Sequence, residues 1–368
     1  MKISILTQHS VCNYGTQLQL FATQKKFLEY FEEVEFIDYR RPDTYGIGLI
    51  KTYTKGNIFK IPIILPTFIY WKYRFGGFIK KYINLSSKKY KKLTDFVDFV
   101  EDSDAYIVGS DQVWNSGWNN GIIPIYYLSF VSKNSLKYSY ASSFGRNTIS
   151  DDESIKIKQY LDEFNEITVR EASAVKIINE QVNYQKVKLL LDPTLAFSGM
   201  FWRKYASGRK INEKYILIYN LKRNKNFDKF ASRISKITGI KLYRLCTRFD
   251  QIIKNGKSII IPPIFDFVSL IDNAEMVITD SFHATAFSLN LNTEPICVLP
   301  DKYTNRISEF LEYVGCSQRI VKDYNDIEVI NRHVDFNYVN EILKKERRKY
   351  NIYLQDIVEQ INEKENLK

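Results

Sequence analysis

Only three histidines occur in the 368 residues, at positions 9, 283 and 333. One lies in Thr279-Asp280-Ser281-Phe282-His283-Ala284-Thr285-Ala286-Phe287, after the apolar run Met276-Val277-Ile278 and before a small, apolar stretch ending at Leu291. An imidazole titrates near neutral pH, so His283 is the leading candidate for a general acid or base. Asp280 can orient it or cap the following helix; Ser281 and Thr285 can donate hydrogen bonds to an anion, and capping explains Ser281 nearly as well. A second cluster, Ser110-Asp111-Gln112-Val113-Trp114-Asn115, follows the apolar Ala105-Tyr106-Ile107-Val108-Gly109. A carboxylate, an amide and an indole in one loop suit sugar recognition, with Asp111 accepting a hydroxyl proton. The bland alternatives are a turn aspartate and a core tryptophan. Arg170 closes an apolar run, where a guanidinium suits carboxylate or phosphate or, equally, a surface ion pair. Arg306 opens another helical stretch and is of the same kind. Asn13-Tyr14-Gly15 follows the first apolar run, and Gly15 permits close backbone approach. His9 can face the same cleft. Cys12 has no activating neighbour, so no thiol nucleophile is expected.

These groups need elements to hold them. Ile3–Gln8, Val34–Asp38, Ala105–Gly109, Lys137–Ala141, Ile167–Arg170 and Val187–Leu191 read as strands, with helical patterns at Gly15–Tyr30 and Ala172–Asn179. Asp192-Pro193 breaks the pattern and the stretch to Gly199 reads as a linker. A second series begins at Tyr215–Tyr219 and continues through Lys241–Leu245, Met276–Ile278 and Pro295–Leu299, with helices between. A long charged helix, Tyr338–Glu363, ends the chain. Such alternation predicts an α/β fold with parallel sheets, and ligands in such sheets bind at the carboxyl ends of the strands. We expect residues 1–195 to form one Rossmann-like domain with a basic helical insertion at about 44–94. Residues 200–335 form a second, and 336–368 a terminal helix. This is the layout of GT-B-type transferases, whose reaction lies between the domains.

Composition narrows the class further. Hydrophobic residues at 45% suffice for two cores. Four scattered cysteines form no CxxC pair, so neither a disulfide framework nor a zinc site is expected, and no metal is assigned. No apolar stretch is long enough to span a bilayer and no signal peptide is recognisable, so a cytoplasmic protein is expected. The formal charge of +11 comes from one place: Thr44 to Thr94 holds 11 basic residues and no acidic ones. Apolar and aromatic residues from Ile58 to Trp71 lie among those lysines. The segment reads either as an anionic-membrane contact at the inner face or as a solvated insertion. No nucleic-acid motif accompanies the charge.

Several segments together resemble the polysaccharide pyruvyl transferase family. They are Asn13-Tyr14-Gly15 with Leu18-Gln19, Val108-Gly109-Ser110-Asp111-Gln112-Val113-Trp114-Asn115, Ser143-Phe144-Gly145, Val169-Arg170-Glu171, Asp192-Pro193-Thr194-Leu195 and Thr279-Asp280-Ser281-Phe282-His283. A looser echo runs from Asn305-Arg306-Ile307 to Arg319. Some branches carry an arginine where this chain has Ser281. The resemblance implies transfer of pyruvate from phosphoenolpyruvate to a lipid-linked or nucleotide-linked sugar, or to a polysaccharide, as a ketal. Phosphoenolpyruvate is then a co-substrate, and no cofactor is implied. On this reading His283 and Asp111 are catalytic. Arg170, Asp280, Ser281, Thr285 and Arg306 bind the donor, with residues 200–335 as the expected donor side and residues 1–195 as the expected acceptor side. Asn13, Tyr14, Gly15, Ser110, Gln112, Trp114 and Asn115 bind the acceptor. A nucleotide-sugar glycosyltransferase and a non-catalytic carbohydrate-binding protein are the rivals.

Overall fold

The computed structural model describes residues 1–55, 57–222, 224–299 and 305–367. Short apolar runs, buried on both faces, make the central strands, and more exposed runs make most of the edges. In the first half these are β1 (Lys2–Leu6), β2 (Glu33–Tyr39), β3 (Leu85–Tyr90), β4 (Ala105–Val108), β5 (Leu136–Ser142), β6 (Glu166–Val169) and β7 (Val187–Leu189). They form a seven-stranded parallel sheet in the order β3-β2-β1-β4-β5-β6-β7. The second half supplies β8 (Tyr215–Tyr219), β9 (Lys241–Cys246), β10 (Lys257–Ile260), β11 (Met276–Thr279), β12 (Glu294–Val298) and β13 (Ile320–Val321). Their order is β10-β9-β8-β11-β12-β13, again all parallel.

Strand order reverses between β1 and β4 in one sheet and between β8 and β11 in the other. At such a reversal the flanking helices depart to opposite faces and leave a crevice beyond the strand ends. The loops after β1, β4 and β11 carry Asn13-Tyr14-Gly15, Ser110-Asp111 and Ser281-Phe282-His283 respectively.

The basic segment departs from its expected helical character at one end. Helices Gly46–Thr54, Ile61–Trp71 and Gly77–Tyr82 are followed by β3, which pairs with β2 as an edge strand. Leu85-Ser86-Ser87-Lys88-Lys89-Tyr90 lacks an apolar alternation, and backbone pairing decides its state. Lysines on an edge discourage further pairing. The helical part joins the halves: Trp71 Nε1 donates to the Thr247 carbonyl at 2.7 Å and Arg74 Nε to the Ile261 carbonyl at 3.2 Å.

The last helix, Phe336–Asn366, buries Val339, Leu343, Tyr350, Leu354, Ile357 and Ile361 at helical spacing. It starts on the second half and returns to the first. Arg347 Nη2 donates to Asn290 Oδ1 at 2.8 Å, while the Tyr353 hydroxyl donates to the Ser139 carbonyl at 2.8 Å.

Candidate active site between the two sheets

Each strand end contributes one group. After β6, Arg170 turns back over the first sheet's edge, 4% exposed. Its Nη1 donates to Asp192 Oδ2 at 2.8 Å, and its Nη2 reaches Asp111 Oδ1 at 3.4 Å. Ser110 Oγ lies 3.4 Å from Nη1 and Glu171 Oε2 lies 3.6 Å from Nε. Burial works against the guanidinium charge, but Asp111, Asp192 and Glu171 outweigh it and hold its pKa above the ordinary value.

Asp111 sits at φ 76°, a left-handed conformation uncommon for a residue other than glycine. Three contacts keep it there. The Thr16 hydroxyl donates to Oδ2 at 2.8 Å, the Gln112 N–H donates to Oδ1 at 2.9 Å, and the backbone bridges Ser142. Strain of this kind persists where the surroundings over-determine it. Burial pushes its carboxyl up, but Arg170 and then His283 pull it further down, so it is ionised.

Asp192 lies in the stretch read from sequence as a linker. It is fully buried. Its Oδ1 accepts from the Thr194 N–H at 3.0 Å and hydroxyl at 2.7 Å, and its carbonyl accepts from the Tyr350 hydroxyl at 3.0 Å. Burial is opposed by His283 and Arg170, which hold the carboxyl well below the usual range. Within the linker reading, the clue was the Asp-Pro-Thr order, which favours a side chain folded onto its own backbone.

From the second sheet, Ser281 caps helix Phe282–Leu291 through Ala284 N–H at 3.4 Å, and the helix brings His283 to the cleft. His283 Nε2 stands 3.4 Å from Asp192 Oδ2, an ion-pair distance without hydrogen-bond geometry. The imidazole and Arg170 thus address the same oxygen. The ring packs against Gly15: a Cβ on Gly15 would lie 2.1 Å from His283 Cγ and Nδ1. Close approach is therefore the reason for glycine there. Phe282 supports both guanidinium groups, with Arg170 Cζ 5.5 Å and Arg306 Cζ 5.9 Å from its centroid.

Arg306 is the less neutralised cation. With the Gln112 amide assigned so that its oxygen faces the guanidinium, that oxygen accepts from Nη2 at 2.8 Å and Nη1 at 3.3 Å. Burial, then repulsion from Arg170, lowers its pKa to about 10. Four buried polar atoms of this one cluster lack a hydrogen-bond partner among the described residues: Arg170 Nε, Glu171 Oε2, His283 Nε2 and Arg306 Nε. Such groups gathered in one place have capacity for a polar or anionic ligand.

The structure brings together His283, Asp111, Arg170, Arg306, Gly15, Ser110 and Gln112. Others stand apart. Asp280 accepts from the Leu221 N–H at 2.7 Å and the Lys222 N–H at 3.0 Å, so it ties down the loop after β8 and neither orients His283 nor caps its helix. Thr285 is fully buried and its hydroxyl donates to the Ser281 carbonyl at 3.0 Å, so it offers no donor, while Ser281 is 3% exposed and its Oγ accepts from the Ala284 N–H as the helix cap. Trp114 is 1% exposed, stacks on Tyr127 and donates to the Tyr126 carbonyl, so its ring has no face open to a sugar. Asn115 is a buried helix cap. Asn13 caps helix Tyr14–Phe27, and Tyr14 stacks on Phe267 and donates to the Pro262 carbonyl at 2.8 Å, joining the halves. His9 is buried against Asp38 at 3.0 Å, away from the cluster. Burial pushes the Cys12 thiol up to about 12, which keeps it protonated at neutral pH. Sequence reasoning from single residues missed Asp192, Glu171, Thr16 and Phe282. Three of them lie inside the quoted motifs, but none carries a chemical signature by itself.

The arrangement of the two sheets is shared with solved structures. UDP-GlcNAc 2-epimerase from Neisseria meningitidis bound to UDP-GlcNAc is 11% identical, with a TM-score of 0.56 over 98% of this chain and 100% of that one. UDP-N-acetylglucosamine 2-epimerase from Rickettsia bellii is 13% identical, TM-score 0.52, covering 97% and 98%. Os79 from O. sativa in complex with UDP and deoxynivalenol-3-glucoside is 6% identical, TM-score 0.52, covering 98% and 100%. At these identities the likeness shows the fold, which is GT-B. No curated protein sequence matches the chain. Residues 13–302 match the family model described as polysaccharide pyruvyl transferase, a range that takes in Gly15, Asp111, Arg170, Asp192 and the histidine turn and ends just short of Arg306. That is well over half of the chain, and the protein belongs to the polysaccharide pyruvyl transferase family.

Proposed function

We propose that the chain transfers pyruvate from phosphoenolpyruvate to two hydroxyls of a sugar, on a polysaccharide or its lipid-linked precursor, leaving a pyruvate ketal and inorganic phosphate. The supporting observation is the convergence of His283, Arg170 and Arg306 with two ionised aspartates at the facing strand ends, where four buried polar atoms make no hydrogen bond among the described residues. The donor carries a carboxylate and a phosphate. Arg306 has the spare charge to hold one of them, while Arg170 is largely occupied by Asp111 and Asp192 and acts more as the rigid floor. His283, with Asp192 as its counter-charge, protonates the terminal enol carbon. The adjacent carbon becomes cationic and the sugar hydroxyl attacks it. Asp111 has a lone pair left on Oδ2 beside the Thr16 hydroxyl. It accepts the hydroxyl's hydrogen bond, and the proton moves as the new C–O bond raises the hydroxyl's acidity. Phosphate then leaves that carbon, taking the proton held by Asp111, and the second hydroxyl attacks the same carbon to close the ketal, giving its proton to the imidazole of His283 and so restoring the acid.

The test is incubation of the protein with phosphoenolpyruvate and a panel of lipid-linked and nucleotide-linked sugars. Phosphate release and pyruvate addition to the acceptor are read by mass spectrometry. We expect turnover, and a loss of roughly 10²–10⁴-fold in His283→Gln with unchanged circular dichroism. Release of a nucleotide without phosphoenolpyruvate consumption would instead identify a glycosyltransferase. Sugar binding without turnover would identify a carbohydrate-binding protein.

A further inference from the structure

The helical insertion has two faces. Its inner face, Thr67, Trp71, Phe75 and Phe78, is buried at helical spacing against both halves of the molecule. The outer face should then be polar, as on an ordinary surface helix. It is not. Ile58, Phe59, Ile63, Leu65, Ile69 and Tyr73 are exposed, Phe59 by 83% and Tyr73 by 71%. Helix Ile61–Trp71 contains no charged residue. Scattered exposed apolar side chains are normal, but a contiguous run on one helix and its preceding turn marks a contact surface.

Charge says what that contact is. Lys51, Lys55, Lys60 and Lys72 are exposed at the two ends of this run, and no acidic residue occurs from Thr44 to Thr94. A second copy of the chain is a poor occupant, since a symmetric contact would set the lysines against their own images. Lysine is also depleted at the cores of protein interfaces. An anionic lipid surface satisfies both features, taking apolar side chains into the headgroup boundary and lysines among the phosphates. The helix cannot cross a bilayer. Its 11 residues span about 16 Å against a hydrocarbon thickness of about 30 Å. Nor is any described helix long and apolar enough to do so. We infer that the face formed by residues 47–55 and 57–73 is a peripheral membrane-docking surface for anionic lipid. Because the same segment packs Trp71 and Phe75 between the halves, the lipid surface would lie beside the candidate cleft.

Co-sedimentation of the full-length protein with vesicles tests this. One set is phosphatidylcholine alone; the other is phosphatidylcholine and phosphatidylglycerol in equal parts. We expect binding to the second set that weakens with salt. The double variant Phe59→Ser, Ile63→Ser should lose more than about tenfold in vesicle affinity. Neutralising Lys51, Lys55 and Lys60 to Gln should cost roughly fivefold per lysine. All replaced side chains are exposed, so the thermal midpoint should stay unchanged. Failure of the wild type to sediment, or equal sedimentation of the variants, would overturn the inference. So would a dimer, seen by sedimentation equilibrium, that the Phe59→Ser, Ile63→Ser variant dissolves while vesicle binding is unaffected. None of these outcomes bears on phosphoenolpyruvate turnover, so the two readings fail separately.

Discussion

At the residue scale, Asp192 is the centre of the site. Its two oxygens serve Arg170, His283 and the Thr194 turn together. Removing its charge takes from Arg170 its nearest counter-ion, leaving Asp111 at 3.4 Å and Glu171 at 3.6 Å, and takes from His283 its carboxylate neighbour, so the loss should fall below the about 3–5 kcal/mol of a fully unpaired buried charge. The pH dependence follows from direction. The folded-state pKa of Asp192 is depressed, so its stabilisation is fully present above the unfolded carboxylate value near 4 and is lost as pH falls through the lower folded value. Urea unfolding of wild type and Asp192→Asn should therefore show a gap that is widest above about pH 5 and narrows in acid. A gap independent of pH would mean that Asp192 contributes packing and not charge. His283 is legible in sequence because histidine is rare here and its chemistry is distinctive. Asp192 is not, since an aspartate before proline reads as a turn until a third element is seen to point at it.

At the element scale, the histidine turn depends on how β11 hands over to its helix. Three of the polar residues there do structural work: Ser281 caps, Thr285 braces the first turn, and Asp280 accepts N–H groups from the loop after β8. Burial raises the Asp280 carboxyl, and the hydrogen bonds from Leu221 and Lys222 pull against that rise. Asp280→Ala should lower stability by roughly 2 kcal/mol in denaturant titration, because the Leu221 N–H loses its acceptor. Its effect on turnover should be smaller than that of His283→Gln. A catalytic Asp280 would reverse that order. The strand, turn and helix are readable from the apolar run and the polar break that follows. Which polar residue points into the cleft is not, because side-chain direction depends on neighbours from β8 that are distant in sequence. The same reason hid β3, whose lysines carry no strand pattern and whose state is decided by β2.

At the scale of the whole molecule, the cleft is held by groups outside it. Tyr14 stacks on Phe267 and meets Phe75 edge-on, Trp71 binds the Thr247 carbonyl, and the last helix ties Asn290 to the first sheet's Ser139 and Asp192 carbonyls. One hydrophobic core runs through residues of both sheets. Trp71→Ala should therefore cost about 3–5 kcal/mol and lower the midpoint of thermal unfolding. Because Trp71 bridges the halves, activity should fall beyond what the unfolded fraction explains. Activity that tracks the folded fraction alone would show that the insertion stabilises the halves without setting their spacing.

Hydrophobic periodicity along the chain determines the two parallel sheets, since buried strands and packed helices must repeat as the pattern does. Local composition likewise determines the basic apolar segment and the histidine turn. Tertiary structure alone decided that an apparent linker aspartate is the shared counter-ion, that Trp114 and Tyr14 are packing, and that Arg306 is the cation with charge to spare. Each of those is a matter of which groups meet across two sheets, and the energies of buried charges depend on that meeting and not on neighbours in sequence.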